Sequence, residues 1–409
     1  MPGPQNAQGL WISNPEHRAW MRQDALRQYA FFAASKGDGP GFHVLDYAGN
    51  PRPDTVQELH TTTRMVHSFA LGQIAGLPGA DAMVEQGMAY LWSHHRDTDH
   101  GGYVWSLDGD KVADGTKMAY GHVFVLLAAS SAKLAGHPDA DRLLADISDV
   151  LETRYWDEDA GLFKDEFTRE WEVFSTYRGM NANMHGVEAL LGAYEATGEA
   201  IYLDRAGRIL DFFLYKIAEP EGWRIPEHYH EDWTPDRAYA GNPMFRPAGT
   251  TPGHSFEMAR LLLQHWDLRG RPDGDAQKVA RAVLETALND AWDREREGFV
   301  YTLDFGGTHD NRARYWWPVT EAIGALAMFL KLSPDGEDEA RYRKLWAFAD
   351  TAFVDHKNGG WFPEIDDAGQ PAMTQFKGKP DIYHSIQAVL YPMTGGISRH
   401  AASLPSLAP

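Results

Sequence analysis

The chain has 409 residues, and Lys+Arg 38 against Asp+Glu 58 gives a formal net charge of −20, which excludes the basic footprint of a nucleic-acid partner. The absence of cysteine removes disulfide scaffolds, thiolate nucleophiles and Cys-ligated zinc or iron–sulfur sites. The N-terminus carries no basic-then-apolar leader, and no window reaches the ~18 apolar residues of a membrane span, so a cytoplasmic protein with no membrane partner is expected. Hydrophobic residues make up 43%, and 14 Trp, 17 Tyr, 19 Phe and 18 His supply what either a packed core or an aromatic-walled sugar pocket uses.

In chain order, an outer helix near residues 16–34 is followed by six helix starts with polar first turns and apolar stripes. They are HTTTRMVHSFALG from His60, AYGHVFVLLAAS from Ala119, NANMHGVEALLGAY from Asn181, TPGHSFEMARLLL from Thr251, YWWPVTEAIGALAM from Tyr315 and DIYHSIQAVLYP from Asp381. Stripes such as Val187, Leu190, Leu191 and Tyr194 have the i, i+3, i+4, i+7 spacing of a helix face. More charged helical stretches lie between, at 138–155, 197–216 and 337–354, and most lead into Gly-aromatic turns with short strand character: DHGGYVWSLDGD, DAGLFKDEF, EREGFVYTLDF and NGGWFPEIDDAGQ. The repeating unit is outer helix, hairpin loop, inner helix. Six such pairs predict an all-α (α/α)6 barrel with its short β-hairpin loops on one functional face; an open α-solenoid is the alternative, disfavoured by the repeat length and by histidines at equivalent helix starts. No linker interrupts the series, so residues 1–409 read as one catalytic domain with a core of about 15–400.

Thr251 with Pro252, and Asp381 after Pro380, are N-cap signals that place His254 and His384 three residues inside their helices. The positive end of a helix dipole disfavours imidazolium, and a neutral imidazole serves as a general base. The other starts add Arg64, Tyr120, His122, Asn183, His185, Trp317, Glu321 and Gln387, which a barrel would gather at one mouth. Arg64 is a fixed cation suited to a developing oxyanion, and Glu257, one turn beyond His254, is placed to orient or balance it. His60 and His67 flank Arg64 and are read as structural.

The run Glu227–Glu231 lacks HExxH spacing and is not read as a metal site. The acidic residues near Asp157–Asp159 and Asp366–Asp367 read as turn residues rather than a glycosidase pair. No phosphate loop and no GxSxG occurs. Neither metal nor cofactor is expected.

TTTRM, NANMH, TPGHSFEMARLLL and DIYHSIQAVLYP together resemble the N-acylglucosamine 2-epimerase superfamily, over about residues 15–400, and within it the bacterial aldose–ketose isomerases acting on mannose or sulfoquinovose. The resemblance implies an (α/α)6 barrel and chemistry without metal or redox cofactor. It also implies His384 as the base at sugar C1/C2, His254 as its partner in ring opening and proton donation, and Glu257, Arg64 and His185 beside them. Tyr120, Asn183, Trp317 and Gln387 fall where that family lines its pocket. The implied activity is D-mannose to D-fructose interconversion, with D-lyxose/D-xylulose as a further pair, by a monomer or homodimer acting on a monosaccharide. Sulfoquinovose isomerisation and sugar 2-epimerisation are the near alternatives, and an (α/α)6 glycoside hydrolase is the alternative from another class.

Overall fold

A computed structural model describes residues 9–37, 39–53, 56–239, 241–242 and 244–408. Twelve α-helices occur among them, joined by loops that carry strands of two to four residues. They fall into two compact units, an N-proximal one of Ser35–Val44 and Pro51–Thr250 and a C-proximal one of Met1–Ala34, Leu45–Asn50 and Thr251–Pro409.

In the N-proximal unit, inner helices α2 (Leu59–Ile74), α4 (Ala119–Leu134) and α6 (Met180–Thr197) pack side by side in that order. Outer helices α3 (Ala80–Tyr90), α5 (Ala140–Val150) and α7 (Ala200–Leu210) each cover the inner helix before them. The C-proximal unit repeats the plan with inner α8 (Pro252–Leu268), α10 (Trp316–Leu332) and α12 (Tyr383–Met393) and outer α9 (Ala276–Ala291) and α11 (Gly336–Ala352); its third outer helix is α1 (Pro15–Ala33), which packs on α12. Composition explains the layering. In α4 every residue from Gly121 to Ala132 is buried, whereas α5 buries only Ala140, Leu143, Leu144 and Ile147, the single stripe of an amphipathic helix.

Four of the six inner helices, α2, α4, α6 and α10, are launched from the loop of the next repeat. Gln57–Glu58 pairs with Ser106–Leu107, Lys117–Met118 with Glu166–Phe167, Arg178–Gly179 with His228–Tyr229, and Arg314–Tyr315 with Glu364–Ile365, all antiparallel. The first helical N–H then donates to the carbonyl of Trp105, Asp165, Glu227 and Pro363 respectively. These bonds satisfy a donor that a helix N-terminus otherwise leaves orphaned, so none of these four helices has a side-chain cap. The expected Thr251 cap is corrected too: Thr251 occupies the N-cap position of α8 and Pro252, which has no N–H to satisfy, the first helical one, but the Thr251 side chain accepts no capping bond. Asp381 does cap, accepting from Tyr383 N at 2.9 Å, but α12 begins at Tyr383, so His384 is its second residue rather than its third.

Buried lysines lock two hairpin turns. Lys117 Nζ donates to Asp97 Oδ2 (2.8 Å) and Gly101 O (2.9 Å), and Lys379 Nζ to Asp355 Oδ2 (2.7 Å) and Gly359 O (2.5 Å). Among the described residues no helix is long and apolar enough to cross a membrane.

Candidate active site

In the C-proximal unit the first turns of α8, α10 and α12 meet. The Trp317 ring lies beside both predicted acid/base residues, its centroid 5.0 Å from that of His254 and 5.9 Å from that of His384, tilted by 31° and 34°. Gly253 permits this: a Cβ there would stand 2.2 Å from Trp317 Cζ3. Trp316 meets His384 edge-on at 6.0 Å.

The strongest polar contact of this cluster fixes His384. Its Nδ1 lies 2.9 Å from Glu321 Oε1, and both groups are buried. A carboxylate only accepts, so the proton sits on Nδ1 and the lone pair for proton transfer is at Nε2. Glu321 is held in turn: Arg260 Nε donates to Glu321 Oε2 over 3.2 Å, and Arg260 Nη2 reaches Glu257 Oε1 at 3.4 Å. Sequence reading put Glu321 among the substrate-binding residues; the structure puts its carboxylate on His384 and Arg260. It put Glu257 beside His254, and the structure pairs it with Arg260. Arg260 was missed, although Glu257, Arg260 and Gln264 form a polar i, i+3, i+7 line along an otherwise apolar helix, which was the available signal. Gln387, on α12, is buried.

In the N-proximal unit, Arg64, Tyr120 and His185 come together. Arg64 Nη2 donates to Tyr120 Oη over 2.8 Å, and its guanidinium stands 4.6 Å from the Phe124 ring centroid. His185 packs 5.4 Å from the Tyr120 centroid and 4.7 Å from that of Phe124, with Nδ1 3.6 Å from Glu188 Oε2. His60, set aside from the sequence, joins this cluster: it stacks on Trp105 at 5.1 Å and lies 5.9 Å from Tyr120. His67 points elsewhere, with Nδ1 2.7 Å from Ser131 Oγ.

Two expected ligand-binding residues are framework instead. His122 is fully buried; its Nε2 accepts from Tyr103 N at 3.0 Å and its Nδ1 lies 2.7 Å from Met118 O. Burial lowers its pKa to about 3. Asn183 is equally buried, accepting from Phe163 N (2.7 Å) and donating to Phe163 O (3.1 Å) and Gly179 O (3.0 Å). Side chains spent on backbone groups are not available to a sugar. In the Glu227–Glu231 run, His228 spends both ring nitrogens on Pro247 O (2.6 Å) and Tyr177 Oη (2.8 Å). Asp366 Oδ1 accepts from Ala368 N and Gln370 N, each at 2.9 Å, as a turn residue does.

The comparisons with known proteins agree with one another. Residues 41–388 match the N-acylglucosamine 2-epimerase (GlcNAc 2-epimerase) family. The chain is similar to a D-mannose isomerase of Thermobifida fusca, 40% identical over 94% of this chain and 96% of that one, and to a D-mannose isomerase of Pseudomonas cannabina pv. alisalensis, 36% identical over 94% of each. A solved crystal structure of D-mannose isomerase superposes with a TM-score of 0.85 at 31% identity, over 92% of this chain and 98% of that one. The fold class is that of these relatives, the all-α (α/α)6 barrel. From the family match and the length of the similarity, the chain is an enzyme of the N-acylglucosamine 2-epimerase family.

Proposed function

We propose that the protein is a cytoplasmic aldose–ketose isomerase, working as one catalytic domain, that interconverts free D-mannose and D-fructose through a cis-enediolate. The observation that carries this reading is the His384–Glu321 pair at 2.9 Å, which leaves Nε2 as a single base of defined tautomer, joined to similarity with D-mannose isomerases over nearly the whole chain. In the opened sugar His384 Nε2 removes the proton from C2 and returns it to C1. His254 opens the ring and then moves a proton from O2 to O1. Arg64, its guanidinium held by Tyr120, is a fixed cation of the kind that balances an enediolate oxygen.

Cation placement favours a neutral hexose over a sulfonated one. Of the four cations that could meet a charged C6 substituent, Arg246 is held by Glu166 at 2.6 Å, Lys379 by Asp355 at 2.7 Å, and Arg314 by the carbonyls of Arg296 (2.5 Å) and Glu297 (2.8 Å). Only Lys377 of these four is exposed.

Product analysis tests the reading. Purified protein given D-mannose should form D-fructose, retain activity after exhaustive EDTA treatment, and in D2O place deuterium at C1 of the ketose. Glucose as the first product would make it a 2-epimerase, turnover of sulfoquinovose in preference to mannose would make it that sugar's isomerase, and action on linked sugars alone would make it a glycosidase. A metal-dependent reaction without solvent deuterium after many turnovers would replace proton transfer by hydride shift.

A further inference from the structure

Behind the base, a line of buried side chains runs down the C-proximal unit and ends in the segment that follows α12. Arg260 Nη1 donates to Gln264 Oε1 over 3.3 Å, and Gln264 Nε2 lies 2.9 Å from His400 Nε2. His400 Nδ1 lies 2.9 Å from Thr394 Oγ1, which donates to Tyr391 O at 2.8 Å and accepts from Lys331 Nζ at 3.0 Å. Gln264, Thr394 and His400 are all buried, and the His400 ring stacks on Tyr391 at 4.1 Å.

The donors and acceptors along this line permit one assignment. Arg260 has only donors, so Gln264 must present its oxygen to Arg260 and its amide N–H to His400. His400 must then accept at Nε2 and carry its proton on Nδ1, which faces Thr394 Oγ1. Burial, with the positive charges of Lys331 and Arg260 nearby, lowers the His400 pKa well below its usual range and keeps the ring in the neutral form this requires. Were the line broken, Arg260 would lose one of the contacts that hold its guanidinium against Glu321, and Glu321 is the group that sets the His384 tautomer.

We propose that His400 and Gln264 are positioning residues for catalysis, holding Arg260 so that Glu321 keeps the His384 imidazole in its working tautomer and orientation. The segment after α12 is thereby a part of the catalytic apparatus that touches no substrate. This rests on His384 being the base of the isomerisation proposed above.

The test is steady-state kinetics on mannose for wild type, His384→Asn, His400→Phe and Gln264→Met, with a proton NMR spectrum of each in the downfield imidazole N–H region. His400→Phe keeps the ring stack on Tyr391 but removes both nitrogens; Gln264→Met keeps the helix and its length but cuts the line at one point. The expected result is a fall in kcat of about tenfold for either variant with KM within about twofold, together with displacement or broadening of the downfield resonance that disappears in His384→Asn. Gln264→Glu, which keeps an acceptor for Arg260 but loses the amide N–H that His400 accepts, should lower kcat less than Gln264→Met does. If His400→Phe does not fold, the two Gln264 variants carry the same test. Normal kcat and an unmoved resonance in Gln264→Met overturn the inference while leaving the His384 mechanism standing, whereas full activity in His384→Asn overturns that mechanism itself.

Discussion

His384 in the C-proximal unit and His185 in the N-proximal unit both lie within the first two turns of inner helices with a glutamate nearby, yet the two glutamates act differently. Glu321 comes from a neighbouring helix, meets His384 Nδ1 at 2.9 Å, and is itself gripped by Arg260. Glu188 is on the same helix as His185, three residues on, and its Oε2 is 3.6 Å from Nδ1, past the range of a good hydrogen bond. The rings of Tyr120 and Phe124 also pack against His185. A histidine whose second nitrogen is anchored by a carboxylate at short range has one tautomer and one direction for its lone pair. His122 completes the contrast: the same residue type at an equivalent start, with both nitrogens committed to the framework.

The largest effect that would break this distinction is at the base. His384→Asn should lower kcat by about 10²–10⁴-fold, while His185→Asn should cost less than about tenfold and act chiefly on KM. Equal losses at the two positions, measured as mannose turnover, would show that both histidines move protons and would turn attention to 2-epimerisation.

Next in size is the anchor. Glu321→Gln keeps the shape but removes the charge that Arg260 and His384 share, so kcat should fall about 10- to 100-fold with KM little changed. Leaving the buried Arg260 with Glu257 as its remaining carboxylate should also cost on the order of 3 kcal/mol of stability. Glu188→Gln, the matching change beside His185, should do neither. Kinetics and urea denaturation on the same pair of variants decide it.

The smallest catalytic effect is predicted at His122. Replacing it by Phe leaves the buried Tyr103 N–H without its acceptor, at a cost of about 1–3 kcal/mol, while kcat of the folded enzyme stays near wild type. His122 also belongs to a group that makes folding sensitive to acid. Burial lowers the pKa of His17, His95 and His122 from 6.5 to about 3, about 4 and about 3. The unfolded chain takes up these protons below about 6.5 and the folded chain refuses them, so stability should fall as pH drops from there toward 4. Asp165 opposes this. Burial raises its pKa from 3.8 to about 8, so the folded chain holds a proton there that the unfolded chain has lost, a contribution that grows as pH falls through that window. Burial shifts Asp24 and Glu58 the same way as Asp165, and His228 and His400 the same way as the other histidines; five histidines outweigh three carboxyls, and the urea midpoint should be lower at pH 4.5 than at pH 7. An unchanged midpoint would mean that these rings are not closed off from water.

Much of the architecture was legible because helix periodicity and burial are written locally. Expected inner-helix starts at 60, 119, 181, 251, 315 and 381 fall within two residues of Leu59, Ala119, Met180, Pro252, Trp316 and Tyr383. The Gly-aromatic segments form the expected turns, as where Trp156–Asp157 pairs with Leu162–Phe163 around Gly161 at φ 71°. Tertiary structure decided how those helices begin. In four of the six, the first N–H group is satisfied by a carbonyl about 50 residues away in sequence, such as Asp165 for Ala119 and Pro363 for Trp316, and a bond of that range leaves no mark on neighbouring residue types. The same limit governs the site. Residue type and position within the first two turns select His122, Asn183, His185, Glu321 and His384 alike, because a polar side chain near a helix start reads the same whether it meets ligand or backbone. Only the packed structure separates His122 and Asn183, consumed by the carbonyls and N–H groups of neighbouring hairpins, from His384, whose carboxylate partner lies 63 residues away on another helix. Sequence by itself determined which residues are polar in a buried layer; which partner each polar atom meets was decided by the approach of distant elements, since a buried donor or acceptor must be paired wherever the fold brings it.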